Sequence, residues 1–288
     1  IGATGQNSPA GSAGGPARWR SGTTDVPSIL PSTMFRTRAA SCAEFRSPAI
    51  DRTDDEDASE PVLSVIIPTL NEARRIGARL EDLKAADIAA EIIVADGGSA
   101  DATIDIAAEA SARTIVGPPG RGQQLAAGAN ISNGSWLLFL HADTQPGPGW
   151  ATVAKRFMAD HDNKFRAGYF RYALDDSAAA ARRLEMIVDW RCRLLNLPYG
   201  DQGLLISASY YERLGGFRPI ALMEDVDLVR KIPRHRLIEL AAIAVTSAER
   251  YRHEGYLTRP ARNLICLALY YLGFPPGYLA DFYRSGRL

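Results

Sequence analysis

Four short stretches of this 288-residue chain put chemically capable side chains where apolar runs end. Trp136 to Leu140 run without interruption into His141-Ala142-Asp143. The run Glu91 to Ala95 closes on Asp96, and the run Leu63 to Ile67 leads through Pro68-Thr69 to Asn71-Glu72. Further on, Glu224-Asp225 opens an amphipathic segment. Carboxylates at the mouth of a sheet can hold a hard divalent ion, Mg2+ or Mn2+, that keeps open positions for phosphate oxygens. Few protein carboxylates then mean an ion held mostly by a diphosphate, whose charge it would neutralise as a sugar–phosphate bond breaks. An attacking hydroxyl needs a base beside it, and Glu224-Asp225 suits that task.

Each of these groups also has a plainer reading. Asp96 ahead of Gly97-Gly98 is a good turn former. Asp143 could cap a helix, and Glu224-Asp225 could simply favour a helix N-terminus through the dipole. His141 could be an edge histidine. The loop 117–122, G-P-P-G-R-G, lacks the Lys-Ser/Thr of a P-loop. G-D-Q-G at 200–203 reads equally well as a turn or as an acceptor-site loop, and Arg250, Arg252 and His253 as a solvated basic face or as a loop closing over a diphosphate.

The elements that must hold these residues follow from periodicity. L-S-V-I-I-P, E-I-I-V-A-D, R-T-I-V and W-L-L-F-L-H are continuous apolar strands, separated by helical segments in which Ile76, Leu80 and Leu83 share one face and Asp101 caps the second helix. The resulting β-α-β-α-β-α-β order with strands buried on both faces implies a mostly parallel central sheet flanked by helices, an α/β fold. Ligands of such sheets sit beyond the carboxyl ends of the strands, where Asp96 and Asp143 both fall. The second half is less regular, with strands at 168–174, 203–209 and 236–245 and a long helix over 177–195.

Composition sets outer limits. An apolar content of 46% with 23% charged residues suits a globular chain with a sizeable core. Lys+Arg and Asp+Glu both number 33, which argues against a protein held on nucleic acid by overall charge. Cys42, Cys192 and Cys266 share no metal or disulfide spacing and point to a reducing compartment. Residues 1–60, rich in Gly, Ala, Ser and Pro, read as a disordered leader; five Arg against two acids over residues 1–50 give it a faint transit-peptide character.

Taken in order, S-V-I-I-P-T-L-N-E, I-I-V-A-D-G-G-S-A-D-A-T, L-H-A-D-T, L-G-G-F and M-E-D-V-D-L resemble a family 2 glycosyltransferase of the A-type fold, over residues 62–232. The subgroup it looks most like has an uncertain acceptor and is sometimes labelled diaponeurosporenoate glycosyltransferase. The resemblance implies a nucleotide-binding Rossmann-like half and an acceptor half, a nucleoside-diphosphate sugar donor (usually a UDP-sugar), a Mg2+ or Mn2+ ion, and inversion during transfer to an acceptor hydroxyl or carboxylate. It assigns Pro68, Thr69, Asn71, Glu72, Asp96, Arg121 and Gln124 to the nucleotide, Asp143 to the metal as the last residue of a D-x-D motif, and Asp225 to the general base with Glu224 beside it. His141 departs from the motif's first Asp; as an imidazole it could contact the ribose or ligate the ion if neutral. A sugar nucleotidyltransferase and a nucleotide-sugar-binding protein without turnover are the alternatives.

The expected layout is therefore a leader (1–60), a glycosyltransferase domain (61–250) and a C-terminal helical extension (251–288). The apolar part of the extension, Leu264 to Leu272, is too short to span a bilayer. It reads as a core helix or as an interfacial segment that brings the enzyme to a lipid-like acceptor, with Arg259, Arg262, Arg284 and Arg287 suited to an anionic surface. The corresponding location is cytoplasmic, or peripheral at the inner face of the cell membrane.

Overall fold

The computed structural model describes residues 62–285. The expected leader and Cys42 lie outside the described residues. In chain order the strands are β1 (Leu63–Thr69), β2 (Ala90–Asp96), β3 (Arg113–Val116), β4 (Trp136–Phe139), β5 (Thr144–Pro146), β6 (Ala167–Leu174), β7 (Leu204–Ser207) and β8 (Leu237–Thr246). The helices are α1 (Ala73–Lys84), α2 (Thr103–Glu109), α3 (Arg121–Ile131), α4 (Trp150–Ala159), α5 (Ala179–Leu195), α6 (Ala208–Arg213), α7 (Glu224–Val229), α8 (Glu249–Glu254), α9 (Thr258–Tyr271) and α10 (Pro276–Ser285).

One eight-stranded sheet runs in the order β3-β2-β1-β4-β7-β6-β8-β5. The first four strands are parallel, with β1 central between β2 and β4. Every residue of β1 is buried, as expected of a strand covered by helices on both faces. Beyond β4 the sheet changes character: β7 is antiparallel to β4 and β6, β6 and β8 pair in parallel, and β5 is antiparallel to β8. The sheet's two faces carry separate apolar layers. One packs Ile66, Ile93, Leu137 and Ile206 under α3 and α5. The other packs Val65, Ile67, Leu138 and Leu205 under α1 and α4.

Three elements went unread in the sequence. β5 is only three residues long, α4 begins directly after Gly147-Pro148-Gly149, and α8 occupies the basic segment. Asp101 is not the N-cap of α2, which is Ala102 with no side-chain cap bond. Its carboxylate instead accepts from the Thr103 N–H (3.1 Å) and the Ala73 N–H (3.1 Å), tying together the starts of α2 and α1. No helix among the described residues is long and apolar enough to cross a membrane.

Candidate active site

The start of α3, the segment just past β4, the loop 199–201, the start of α7, the segment 246–251 and helices α9 and α10 surround a cleft. Its lining includes Arg121, His141, Asp143, Gly200, Asp201, Glu224, Asp225 and Arg250. Five of the residues singled out in the sequence, Arg121, His141, Asp143, Glu224 and Asp225, thus converge from separate segments of the chain.

The remaining ones lie outside this lining, at or just past the ends of β1 and β2 and on α3. Asp96 is buried, and both of its oxygens are engaged within the chain. Oδ1 accepts from the Thr69 hydroxyl (2.9 Å) and the Ser99 hydroxyl (2.5 Å), while Oδ2 accepts from the N–H groups of Gly98 (2.8 Å) and Ser99 (2.7 Å). Gln124 donates both amide hydrogens to main-chain carbonyls, those of Thr69 (2.7 Å) and Ala95 (2.8 Å), and so stitches α3 to the ends of β1 and β2. Pro68 lies opposite Ala95 in the register of β1 and β2. Asn71, at a left-handed φ of 56°, accepts from the Ala100 N–H through Oδ1. Glu72 faces Arg75 (3.1 Å) and Arg250 (3.8 Å).

On the cleft floor, Arg121 Nε stands 3.0 Å from Glu224 Oε1. Glu224 is buried, and burial raises its carboxyl pKa by more than the Arg121 charge pulls it down. Asp225 is held differently. Its Oδ2 accepts from the Gly200 N–H at 2.9 Å and its Oδ1 from the Val226 N–H at 2.8 Å, two bonds that fix its orientation. The local sequence makes this possible, because Gly200 brings its backbone against His141. A methyl added to it would sit 2.5 Å from His141 Nε2. Gly122, on the first turn of α3, likewise lets the Arg218 carbonyl approach to within 2.3 Å of where a Cβ would stand.

His141 is held neutral. Burial first, and the neighbouring Arg121 cation second, lower its pKa to about 4. Asp143 has Arg250 Nη1 3.8 Å from its Oδ2. Of the two sequence readings of the basic segment, a solvated face and a loop at the site, each describes part of it: Arg250 lines the cleft, while Arg252 pairs with Asp176 (2.9 Å) on the outside. Asp201 is a site residue that the sequence left undecided. It lines the cleft, its Oδ1 is buried without a hydrogen-bond partner, and burial raises its pKa to about 6 against the pull of Arg191. Its only sequence signal was its place between two glycines in G-D-Q-G.

Among the described residues no three His, Cys, Asp or Glu side chains are grouped to hold a metal ion. The donors that do face the cleft, a carboxylate at Asp143 and a neutral imidazole at His141, suit a hard or borderline divalent ion whose other positions go to phosphate oxygens. The residues present fit such an ion. Behind them a second, apolar recess lined by Leu125, Phe139, Leu204 and Phe217 backs His141 and Asp225.

Comparison with known proteins identifies the family and the fold. The chain is 36% identical over 91 residues to PGL/p-HBAD biosynthesis glycosyltransferases of Mycobacterium bovis and Mycobacterium tuberculosis, a match that spans 29% of this chain and 36% of theirs. Its fold resembles glucosyl-3-phosphoglycerate synthase from Mycobacterium tuberculosis, crystallised with Mn2+, UDP and glucosyl-3-phosphoglycerate (TM-score 0.51, 20% identity, 75% of this chain and 81% of that one). It also resembles a mannosyltransferase from Pyrobaculum calidifontis in complex with GDP-Man and Mn2+ (TM-score 0.52, 18% identity, 80% and 74%). The architecture is thus the A-type glycosyltransferase fold. The description of glycosyl transferase family 2 matches residues 64–218, more than half of the chain, and the protein belongs to that family.

Proposed function

We propose that the protein transfers a sugar from a nucleoside-diphosphate sugar, a UDP-sugar by preference, to an acceptor hydroxyl or carboxylate with inversion. The observation that carries this reading is the convergence in one cleft of Asp143 and His141 at the end of β4, Asp225 at the start of α7, and the cations Arg121 and Arg250. The relatives named above are glycosyltransferases, and two neighbours of the same fold hold Mn2+ with UDP or GDP-Man.

Asp143 is the residue that would hold a divalent ion, with His141 beside it; when bound, that ion supplies positive charge to the departing diphosphate. Arg121 and Arg250 add fixed cations on either side of the same space, where charge develops as the bond to the sugar breaks. Asp225 accepts the acceptor's proton at Oδ2, the oxygen that the Gly200 N–H orients. The nucleotide lies along the ends of β1 and β2, where Pro68, Thr69, Asn71, Glu72, Asp96 and Gln124 shape the rim. Asp201 faces the cleft on the acceptor side, next to the base. The layout of leader, transferase domain and C-terminal helical extension is part of the same proposal.

His141 in place of an acid favours one second reading, a protein that binds the donor without turnover. One experiment tests both: calorimetric titration of UDP, GDP and CDP with and without Mn2+, on wild type and Asp143→Ala, followed by donor hydrolysis. Metal-dependent binding of one nucleotide, lost in the variant, together with hydrolysis supports a transferase. Binding without hydrolysis supports the second reading. Binding to none of the three refutes both.

A further inference from the structure

Helix α5 turns a stripe of large apolar residues outward. Met186, Ile187, Trp190 and Leu194 recur at helical spacing, and each is at least half exposed, Met186 reaching 63%. Helix α9 does the same: Ala261, Leu264, Ile265 and Ala268 are all exposed, and Leu272 just past its end is 74% exposed. Each stripe follows the i, i+3, i+4, i+7 rule of a face made for burial, yet nothing in the described chain covers either.

The C-terminal end of α5 and helix α9 are neighbours. Leu197, just after α5, packs with Leu267 and Tyr270 of α9 in one small core. The segment after α7 spans the seam, with Arg234 Nη2 donating to the Arg193 carbonyl at 2.5 Å and the Arg230 guanidinium 4.3 Å from the Tyr271 ring centre. From Arg230 to Arg236 this segment carries Arg230, Lys231, Arg234 and Arg236, of which Lys231 pairs with Asp227 at 3.3 Å.

We infer that this face docks the protein on an anionic lipid bilayer. An amphipathic surface with apolar residues, an exposed Trp and flanking Arg and Lys matches what lies in a headgroup layer, and the cations match the charge of anionic lipid. A second copy of the chain suits the face poorly, since a two-fold pairing buries the same patch from both partners and so brings two sets of Arg230, Arg234 and Arg236 into one interface. Helix α9 also links the face to the cleft: Arg259 and Asn263 line the cleft from the side of the helix opposite the stripe. On the glycosyl-transfer reading above, on which this clause rests, docking presents the acceptor edge at headgroup level and selects a lipid-borne acceptor.

The test is flotation of the full chain with vesicles of phosphatidylcholine alone or with added phosphatidylglycerol, without donor or acceptor, together with tryptophan emission. The chain is expected to float only with the anionic vesicles, with a blue shift that Trp190→Phe abolishes. Trp190→Ser and Arg234→Glu, both at exposed positions, are each expected to weaken partitioning about tenfold or more while leaving melting temperature and nucleotide binding at wild-type values. Absence of partitioning, or partitioning indifferent to both substitutions, overturns the inference. So does a concentration-dependent dimer in light scattering that the same substitutions abolish. Because nucleotide binding is read without vesicles, failure of the docking surface and failure of the transferase reading give different results.

Discussion

Arg121 and Glu224 are each the first residue of a helix, α3 and α7, and their side chains meet at 3.0 Å on the floor of the cleft. An arginine is badly placed at a helix N-terminus, where the dipole favours negative charge. The carboxylate of a second helix start offsets that, and the pair locks the two helices together. Glu224 is therefore engaged, and its neighbour Asp225 presents the carboxylate that remains for proton transfer.

The two acids should separate cleanly on mutation. Glu224→Gln is expected to lower stability by about 1–2 kcal/mol, less than a fully buried pair would lose because Arg121 is 42% exposed and can be solvated. Asp225→Asn gives up one of the two accepting oxygens and should lower stability by about 1 kcal/mol, but it should reduce kcat by roughly 10²–10⁴, the range of general-base contributions, where Glu224→Gln should not. Thermal melts and single-turnover transfer on the two variants check this. The reverse pattern would move the base to Glu224.

Gly200 has a steric reason to be glycine. A Cβ there would lie 2.5 Å from His141 Nε2, closer than real side chains approach, and the same residue's N–H orients Asp225. Gly200→Ala is expected to cost about 1–3 kcal/mol of stability, as overpacking does, and at least tenfold in transfer. Gly117→Ala is the control, since a methyl there meets nothing within 4 Å. Equal effects from the two substitutions would remove the special role of Gly200.

Asp201 gives the site a pH signature. Its pKa rises from 3.8 to about 6 on folding, chiefly through burial, so the folded state holds a proton that the unfolded state has lost. The stabilising contribution is full below about pH 4 and is lost as pH rises through about 6. Asp201→Asn removes this dependence. Its melting temperature relative to wild type should therefore climb between about pH 4 and pH 6 and level off above. A difference that stays flat across this range would mean Asp201 is charged and solvated in the fold.

The first half of the molecule was legible because β1, β2 and β4 are largely buried and its turns carry chemistry, although β3, read in the same way, is a partly exposed edge strand. Short continuous apolar runs rich in β-branched residues and bounded by turn residues read as strands, and the run of β2 ends on Asp96, whose type matches the turn. The second half resists the same reading, since β6, β7 and β8 pair partly antiparallel across long sequence separations, which no local pattern encodes. The site shows the same division. Asp143 and Asp225 stand out by motif, whereas Arg250 enters the cleft only because α8 rotates it inward, and Arg252 two residues later points out. Gln124 looked like a nucleotide contact, yet both of its amide hydrogens are committed to backbone carbonyls, a role visible only in three dimensions.

Arg250 is the residue whose test separates stability from binding most sharply. It stands 3.8 Å from both Asp143 and Glu72 and is 53% exposed. Exposed pairs at that distance add little to stability, so Arg250→Ala should melt within about a degree of wild type. A charge-assisted contact to phosphate is worth more, about 1.5–3 kcal/mol, so nucleoside-diphosphate affinity should fall about tenfold or more. The dependence of binding on salt should weaken with it, because one cation that meets the diphosphate is gone. Arg250→Lys should recover only part of the loss, since a lysine keeps the charge but not the planar fork. Calorimetric titration of the preferred diphosphate with Mn2+ at two ionic strengths reads all three effects. Unchanged affinity in Arg250→Ala would return this residue to the solvated face that was the first of its two sequence readings.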